Sequence, residues 1–240
     1  MRSKKVTYFT SLLLFFVLSC GGKDKKAPQE ITSKPIESIK DTANVVANKK
    51  VQEIEKDTFR LSEENAIDFF FDYSKNVTEN KVRLTTSMGS FTIQLYNNVP
   101  YHKANFIYLT KKGYFDNTQF HRVVPDFIIQ GGNSDDKQTS TKRKGIGRYL
   151  LPPDTRKGHK HHRGTISMPS SERDNPHKLA SPFEFFIVVT KPGSYHLDGS
   201  YTPFGRVIEG MDVVDKINQV DIDQGEWPMR NVYILKAEVL

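Results

Sequence analysis

One short stretch, FHRVVPDFIIQGG at residues 120–132, combines residue types that could act on a substrate. Arg122 lies there among apolar and aromatic residues that a folded chain tends to bury. An arginine in such a run either forms a salt bridge or serves as a fixed cation beside an apolar wall. The stretch alone leaves both interpretations open, and the second would suit a substrate-binding site.

A second group of reactive side chains is the segment GHKHHRG, which contains His159, His161 and His162. This density of imidazoles is typical of metal ligands. The segment itself contains no carboxylate and no cysteine, and it lies between a Lys-rich loop and a predicted strand. We therefore predict a solvated basic loop there, and we expect neither a metal ion nor another cofactor.

Composition limits the class of protein. The 240 residues are 26% charged and 37% hydrophobic, which suits one globular domain with some unstructured length. The formal net charge is +7, and Arg2, Lys4 and Lys5 account for three of these charges, which leaves +4 on the rest of the chain. So mild an excess argues against a nucleic-acid-binding protein, in which basic stripes are expected.

The N-terminal residues predict export and lipid attachment. Residues 1–19 have the pattern of a secretory signal, because basic residues precede an apolar run at 12–18 that is shorter than the about 20 residues needed to span a bilayer. Cys20, the only cysteine, stands in VLSCGGK, which is similar to a bacterial lipoprotein cleavage box. This resemblance implies a lipid such as palmitate on Cys20 and anchoring to a membrane of the bacterial cell envelope, on its periplasmic or surface side. The alternative is an unmodified thiol. Residues 20–60 are polar and predict a flexible tether.

A helical extension is predicted over residues 61–80. Ser62 is in a position to cap the helix at its N-terminus. Ile67, Phe70 and Phe71 follow a helical spacing and are expected to share one face. We expect this helix to dock on the domain that follows.

Residues 81–240 predict a mainly β domain. A hairpin is indicated at 82–96, helices at 101–112 and 211–218, and an exposed connection at 134–148. Many short strands with only two helices favour a closed antiparallel barrel capped by those helices. The other strands are predicted at 119–124, 127–132, 162–168, 183–189, 202–208 and 230–239.

Four stretches of this domain resemble, in order, the signature sequences of one family. They are FHRVVPDFIIQGG, RGTISM, FEFFIVV and LDGSYTPFGRVIEGMDVVDKI, and they are similar to those of the cyclophilin peptidyl-prolyl cis-trans isomerases. The resemblance implies an eight-stranded antiparallel barrel closed by two helices, with a groove on its outer surface. It also implies an isomerase that acts on proline-containing polypeptides without a cofactor, and we expect a monomer.

The same resemblance assigns the site residues. A cation near the prolyl nitrogen would lower the barrier to rotation, which is about 18–20 kcal/mol for a peptide bond. Arg122 is implied as this cation, and Gln130 as a hydrogen-bond donor to the substrate backbone that also helps to hold the arginine. The proline ring is expected to bind between Phe127, Ile128, Phe186 and Leu197.

The sequence departs from the family pattern at several of these positions. Pro169 and Ser170 replace the usual Ala-Asn, so the contacts of that wall with substrate are expected to change. Glu184 replaces a glutamine, and its carboxylate could orient or compete for the catalytic cation. Tyr201 replaces a histidine that eukaryotic members often have, and its hydroxyl can still donate beside the pocket. His196 replaces a tryptophan that contributes to cyclosporin binding, which predicts weak cyclosporin affinity.

Two other functions remain open on the sequence. The altered wall is compatible with a binding module that holds proline peptides without turning them over. A lipid-anchored scaffold, in which the helix at 62–80 binds a partner and isomerase activity is vestigial, is the third hypothesis.

Overall fold

The computed structural model describes residues 59–240, so the predictions for the signal, Cys20 and nearly all of the tether lie outside the described part. Four α-helices are present there: α1 Ala66–Lys75, α2 Pro100–Lys111, α3 Lys137–Ile146 and α4 Met211–Asn218. The strands are β1 Lys81–Thr86, β2 Gly89–Leu95, β3 Thr118–Val124, β4 Ile128–Asn133, β5 Thr165–Ser167, β6 Phe185–Val188, β7 Pro203–Glu209 and β8 Val232–Val239.

The eight strands form one closed barrel in the order β1-β2-β7-β5-β6-β4-β3-β8, and every neighbouring pair is antiparallel. This confirms the predicted fold class. Because side chains alternate across a strand, every second residue points into the barrel. Val123, Ile129 and Ile187 are paired across β3, β4 and β6 and are fully buried in the core.

Two of the helices cover the barrel as predicted. Pro100 begins α2, where its missing N–H is no loss, and Ala104 and Ile107 are fully buried. In α4, Val214 and Ile217 are buried. Gly210 precedes α4 with φ 77°, and a Cβ there would lie 2.5 Å from the Ser90 carbonyl oxygen, so only glycine fits.

Residues 134–148 are largely exposed, as predicted, but they are not an irregular connection, because they contain α3. The Asp136 carboxylate accepts a hydrogen bond from the Gln138 N–H and caps the helix. Only Thr139 of the helix is buried, so α3 needs no apolar face. Its sequence therefore lacks the apolar periodicity by which a helix is recognised.

The helical extension docks on the barrel domain, as expected, but by a different face. Phe70 is fully buried and packs edge-on against Tyr108 of α2, whereas Ile67 and Phe71 are 47% and 53% exposed. Ser62 does not cap the helix; its N–H instead donates to the side chain of Asn65, the residue before α1. None of the helices between residues 59 and 240 has the length and apolar composition needed to cross a membrane.

Candidate active site

The outer face of three neighbouring strands carries the residues implied in catalysis. Arg122 on β3 is paired with Gln130 on β4, and Gln130 is paired with Phe186 on β6. Paired residues point to the same side of a sheet, so these three side chains form a row across the barrel wall. The structure therefore brings together the predicted cation, the predicted hydrogen-bond donor and one wall of the predicted pocket.

A second row, two residues further along each strand, is apolar. Val124, Ile128 and Val188 are paired across the same three strands. Ile128, Val188 and Phe186 form a cluster separate from the barrel core, with Phe127, Leu197 and Tyr201 packed around it. The Tyr201 ring meets Phe186 edge-on at 5.6 Å. All of the predicted pocket residues thus lie in one apolar patch beside the row of Arg122.

Arg122 is held by a residue that sequence reasoning missed. Its Nε donates to the Glu226 carboxylate at 2.6 Å, and the two side chains are 41% and 37% exposed. The Glu226 carbonyl accepts from the Val123 N–H at 2.8 Å, which fixes the loop before β8 against β3. Within residues 59–240, the Nη groups of Arg122 make no hydrogen bond. A β-bulge between Phe120 and Arg122 helps to set where the arginine emerges from the strand.

Gln130 is engaged by Glu184 rather than by Arg122. Its side-chain amide donates to the Glu184 carboxylate at 2.9 Å, and His121 and Arg143 lie 3.4 and 3.8 Å from that carboxylate. Burial acts to raise the pKa of Glu184, but the hydrogen bonds and charges of these neighbours outweigh it, so the pKa lies below its usual value. Glu184 is therefore a carboxylate, and its contacts are with Gln130, His121 and Arg143.

Of the remaining predicted residues, Pro169 and Ser170 follow β5, and His196 lies against the patch. The Pro169 carbonyl accepts from the Ser181 N–H at 2.8 Å, and the Ser170 hydroxyl accepts from the Glu172 N–H at 3.1 Å. The exposed ring of His196 stacks on Phe127 with centroids 5.4 Å apart.

The prediction of a solvated loop was wrong for His161. Its ring is fully buried, with Nδ1 2.8 Å from the Asp198 carboxylate and Nε2 2.9 Å from the Ser167 hydroxyl. Burial lowers the pKa of His161, although Asp198 opposes this shift. The flanking histidines are less buried: His159 stacks on Tyr96 at 3.8 Å, and His162 is exposed.

Serine, histidine and aspartate in this order resemble a nucleophilic triad, but here they hold a loop in place. Ser167 is fully buried, so its hydroxyl cannot reach a substrate. The Ser194 N–H donates to the His161 carbonyl at 2.7 Å, and Asp198 follows Leu197 directly. The cluster therefore fixes residues 194–201, which carry Leu197 and Tyr201 of the pocket. Among the side chains of residues 59–240, no group of three or more His, Cys, Asp or Glu is arranged to hold a metal ion.

Comparisons with known proteins agree with this architecture. The sequence pattern described as cyclophilin type peptidyl-prolyl cis-trans isomerase/CLD matches residues 81–239. A peptidyl-prolyl cis-trans isomerase of Arabidopsis thaliana is 38% identical over 67% of this chain and 93% of its own length. A peptidyl-prolyl cis-trans isomerase-like 1 protein of Neurospora crassa is 38% identical over 66% of this chain and 93% of its own.

Solved structures give the same result. A cyclophilin-type peptidyl-prolyl cis-trans isomerase of Cryptosporidium parvum is similar with a TM-score of 0.57 and 26% identity, over 68% of this chain and 98% of that one. Its crystal structure in the presence of the dipeptide Ala-Pro is similar with a TM-score of 0.56.

A closed antiparallel barrel with an apolar patch beside an arginine on its outer wall defines the class of protein. The chain belongs to the family of cyclophilin-type peptidyl-prolyl cis-trans isomerases. It is therefore an enzyme that interconverts the cis and trans forms of peptide bonds before proline. The family match begins at residue 81, so residues 59–80, with α1, are additional to it.

Proposed function

We propose that this enzyme accelerates X-Pro isomerisation in exported proteins, with Arg122 as the group that stabilises the twisted transition state. The observation that supports this most directly is the state of the Arg122 side chain. Glu226 holds its Nε at 2.6 Å, while the Nη groups make no hydrogen bond within residues 59–240. The guanidinium plane is thus fixed on one edge, and its other edge is left to donate to a substrate.

Rotation about a peptide bond makes and breaks no covalent bond. The site therefore has only to bind the substrate and to polarise its prolyl peptide bond. The barrier, about 18–20 kcal/mol, arises because the nitrogen lone pair is delocalised into the carbonyl. A donor at the prolyl nitrogen localises that lone pair and favours the pyramidal nitrogen of the twisted state over the planar ground state. Arg122 is the residue that we assign to this task.

The apolar patch would bind the proline ring beside this donor. On the outer face, the strand position next to Arg122 is bordered by apolar side chains. They are Phe127, Ile128, Phe186 and Leu197. Gln130 lies in the same row as Arg122 and would donate to the substrate backbone. Its present partner, Glu184, would orient the amide for that contact, since the carboxylate accepts one of the two amide hydrogens.

The test is a comparison of the full chain with its Arg122→Ala and Arg122→Lys variants. Exchange NMR on an Ala-Pro peptide should show acceleration by the wild type and a loss of about 100-fold in kcat/KM for Arg122→Ala. Lysine should restore only part of the rate, because it lacks the planar fork that Glu226 holds. Equal acceleration by all three proteins would refute the role of Arg122.

Saturable peptide binding without any acceleration by the wild type would instead support a binding module. The altered wall at Pro169 and Ser170 motivates this control. The titration should follow shifts of the Phe127 and Phe186 ring protons, since both rings belong to the patch.

We further propose that the enzyme works at a bacterial cell envelope, attached through a lipid on Cys20. The support is the sequence VLSCGGK after a short apolar run, and residues 20–60 would then serve as the tether. Labelling with a palmitate analogue in a bacterial host, followed by detergent phase partition, tests this. The wild type should carry label and enter the detergent phase, and Cys20→Ser should do neither. Labelling of both proteins, or of neither, would contradict the proposal.

A further inference from the structure

The turn between β3 and β4 carries one wall of the apolar patch, and its backbone is strained. Residues 125–127 connect the two strands, and Phe127 and Ile128 belong to the patch. The Phe127 N–H donates to the Val124 carbonyl at 3.1 Å and closes the turn. Asp126 has φ 56°, in a region that is disfavoured for residues other than glycine. Such a conformation persists only where neighbouring groups hold it.

One buried amide holds this turn from α4. Asn218, the last residue of that helix, is 4% exposed. Its side-chain nitrogen donates to the carbonyls of Val124 and Ile128 at 2.9 and 3.2 Å. Its side-chain oxygen accepts a hydrogen bond from the Asp126 N–H at 2.9 Å. Both amide hydrogens and the oxygen are thus used on the turn and the strand ends beside it, so the side chain serves the turn and not its own helix.

A second side chain holds the same turn from the segment after β6. The Thr190 hydroxyl donates to the Asp126 carbonyl at 2.9 Å, and it accepts a hydrogen bond from the Ser194 hydroxyl at 2.9 Å. Ser194 is the first residue of the loop 194–201, which carries the pocket residues on the other side of the patch. The turn is therefore connected both to α4 and to the opposite wall of the pocket.

Arg122 is held by different contacts. Its Nε donates to the Glu226 carboxylate at 2.6 Å, and the neighbouring Val123 N–H donates to the Glu226 carbonyl at 2.8 Å. Neither contact involves the turn or Asn218. A turn that loses its support should therefore displace the apolar patch while the arginine keeps its place.

We propose that Asn218 is a positioning residue for the proline pocket, and that it acts by fixing the β3–β4 turn together with Thr190. This role rests on the proposed function, in which the substrate proline binds against Phe127 and Ile128. Asn218 and Thr190 act through the turn and not on the substrate itself. They set the distance and direction between the bound ring and Arg122.

Loss of the Asn218 amide should weaken substrate binding and leave the rotation step nearly unchanged. The proline ring lies in the patch in both the planar and the twisted state, so a displaced wall weakens the binding of both states alike. Such a loss raises KM and spares kcat. For Asn218→Ala we expect KM for an Ala-Pro peptide to rise about three- to tenfold, and kcat to change by less than about twofold.

The experiment uses the full chain and measures three quantities for each variant. Initial isomerisation rates at several concentrations of an Ala-Pro peptide give kcat and KM. A titration that follows the Phe127 ring protons gives the dissociation constant, and the same signals report the position of the ring in the free protein. Asn218→Ala should raise KM and the dissociation constant together, and it should shift the Phe127 signals before any peptide is added.

Val82→Ala is the matched control for a loss of stability alone. Val82 is fully buried on β1, across the barrel from β6, and contributes nothing to the turn. This variant should unfold at a lower urea concentration and keep the wild-type KM and Phe127 signals, at a temperature where it is folded. If Asn218→Ala gives the same result as this control, its amide is merely structural and the proposal is wrong.

Thr190→Val provides a second test that holds even if Asn218→Ala does not fold. Valine keeps the shape of threonine but donates no hydrogen bond to the Asp126 carbonyl. The same rise in KM with kcat retained is expected. It should be smaller, about two- to threefold, because one hydrogen bond to the turn is lost and not three.

The outcomes distinguish this role of Asn218 from the proposed function. Wild-type KM and dissociation constants in both variants, with acceleration intact, would overturn the role of Asn218 and leave the proposed function standing. A fall in kcat with KM unchanged would also overturn it, since Asn218 would then act on Arg122. If the wild type accelerates no peptide, the proposed function fails, and the dissociation constants of the three proteins still decide whether Asn218 sets the pocket.

Discussion

The inner and outer faces of β3, β4 and β6 are built from alternate residues of the same short segments. On the inner face, Val123, Ile129 and Ile187 are fully buried in the barrel core. On the outer face, Arg122 and Gln130 lie beside the apolar patch of Ile128 and Phe186, which is separate from that core. Changes on the inner face should therefore affect mainly stability, and changes on the outer face mainly catalysis.

The largest expected effect is on stability and concerns two adjacent isoleucines that lie on opposite faces. Ile129→Ala leaves a cavity in the core and should lower the free energy of unfolding by about 2–5 kcal/mol. Ile128→Ala removes the same atoms from the small outer patch, which can adjust more easily, so the loss should lie at the lower end of that range, about 2 kcal/mol.

Activity should show the reverse order. Ile128→Ala should raise KM for an Ala-Pro peptide, while Ile129→Ala, assayed at a temperature where it is folded, should keep the wild-type KM. Urea unfolding and initial isomerisation rates provide the two measurements. If both variants change stability and KM alike, the two faces are not functionally distinct.

Two fully buried histidines extend the comparison to pH. His102 on α2 packs near Phe204 in the core, and within residues 59–240 neither ring nitrogen has a hydrogen-bond partner. Burial lowers the pKa of His102 from 6.5 to about 3. His161 beneath the patch is bonded at both nitrogens, and Asp198 opposes the lowering of its pKa.

His102 should therefore make the fold sensitive to acid. The neutral ring is favoured in the folded state, so its contribution to stability is complete above pH 6.5 and is lost as the pH falls towards 3. The slope is about 1.4 kcal/mol per pH unit for one such group. His102→Leu should flatten the fall in unfolding free energy below pH 6, measured by urea titration at several pH values. If the slope is unchanged in His102→Leu but flattened in His161→Asn, the acid sensitivity comes from His161, and the prediction for His102 is wrong.

The two faces of these strands can be predicted from the sequence, because each face is set by residues that are close together in the chain. Alternating apolar residues define the strands, and the motif around Arg122 places Arg122, Phe127, Ile128 and Gln130 within one hairpin. The partners that hold the site are not local. Glu226 lies 104 residues from Arg122, and Asp198 lies 37 residues from His161. Side chains so far apart in the sequence meet only when the barrel closes, and no short motif predicts which of them will meet. Helix α3 escaped prediction for another reason, since its polar sequence has no periodic apolar face.

The smallest expected effect concerns the contact between Glu226 and Arg122, on the outer face. Glu226→Gln keeps a side-chain oxygen but loses the charge that strengthens the hydrogen bond from Nε. The guanidinium should then be less well oriented, and kcat should fall about three- to tenfold while KM changes little. Because both partners are partly exposed, high salt should reproduce part of this loss in the wild type.

Exchange NMR at low and high salt checks the Glu226 prediction, with Glu209→Gln on β7 as a matched exposed control. The unfolding free energy of Glu226→Gln should stay within about 0.5 kcal/mol of the wild type, as for other exposed substitutions. A large loss of stability with unchanged kcat would show that Glu226 serves the fold through its loop. Glu226 would then be a residue of the outer face that contributes to stability and not to catalysis. Arg122 would act without being oriented by Glu226.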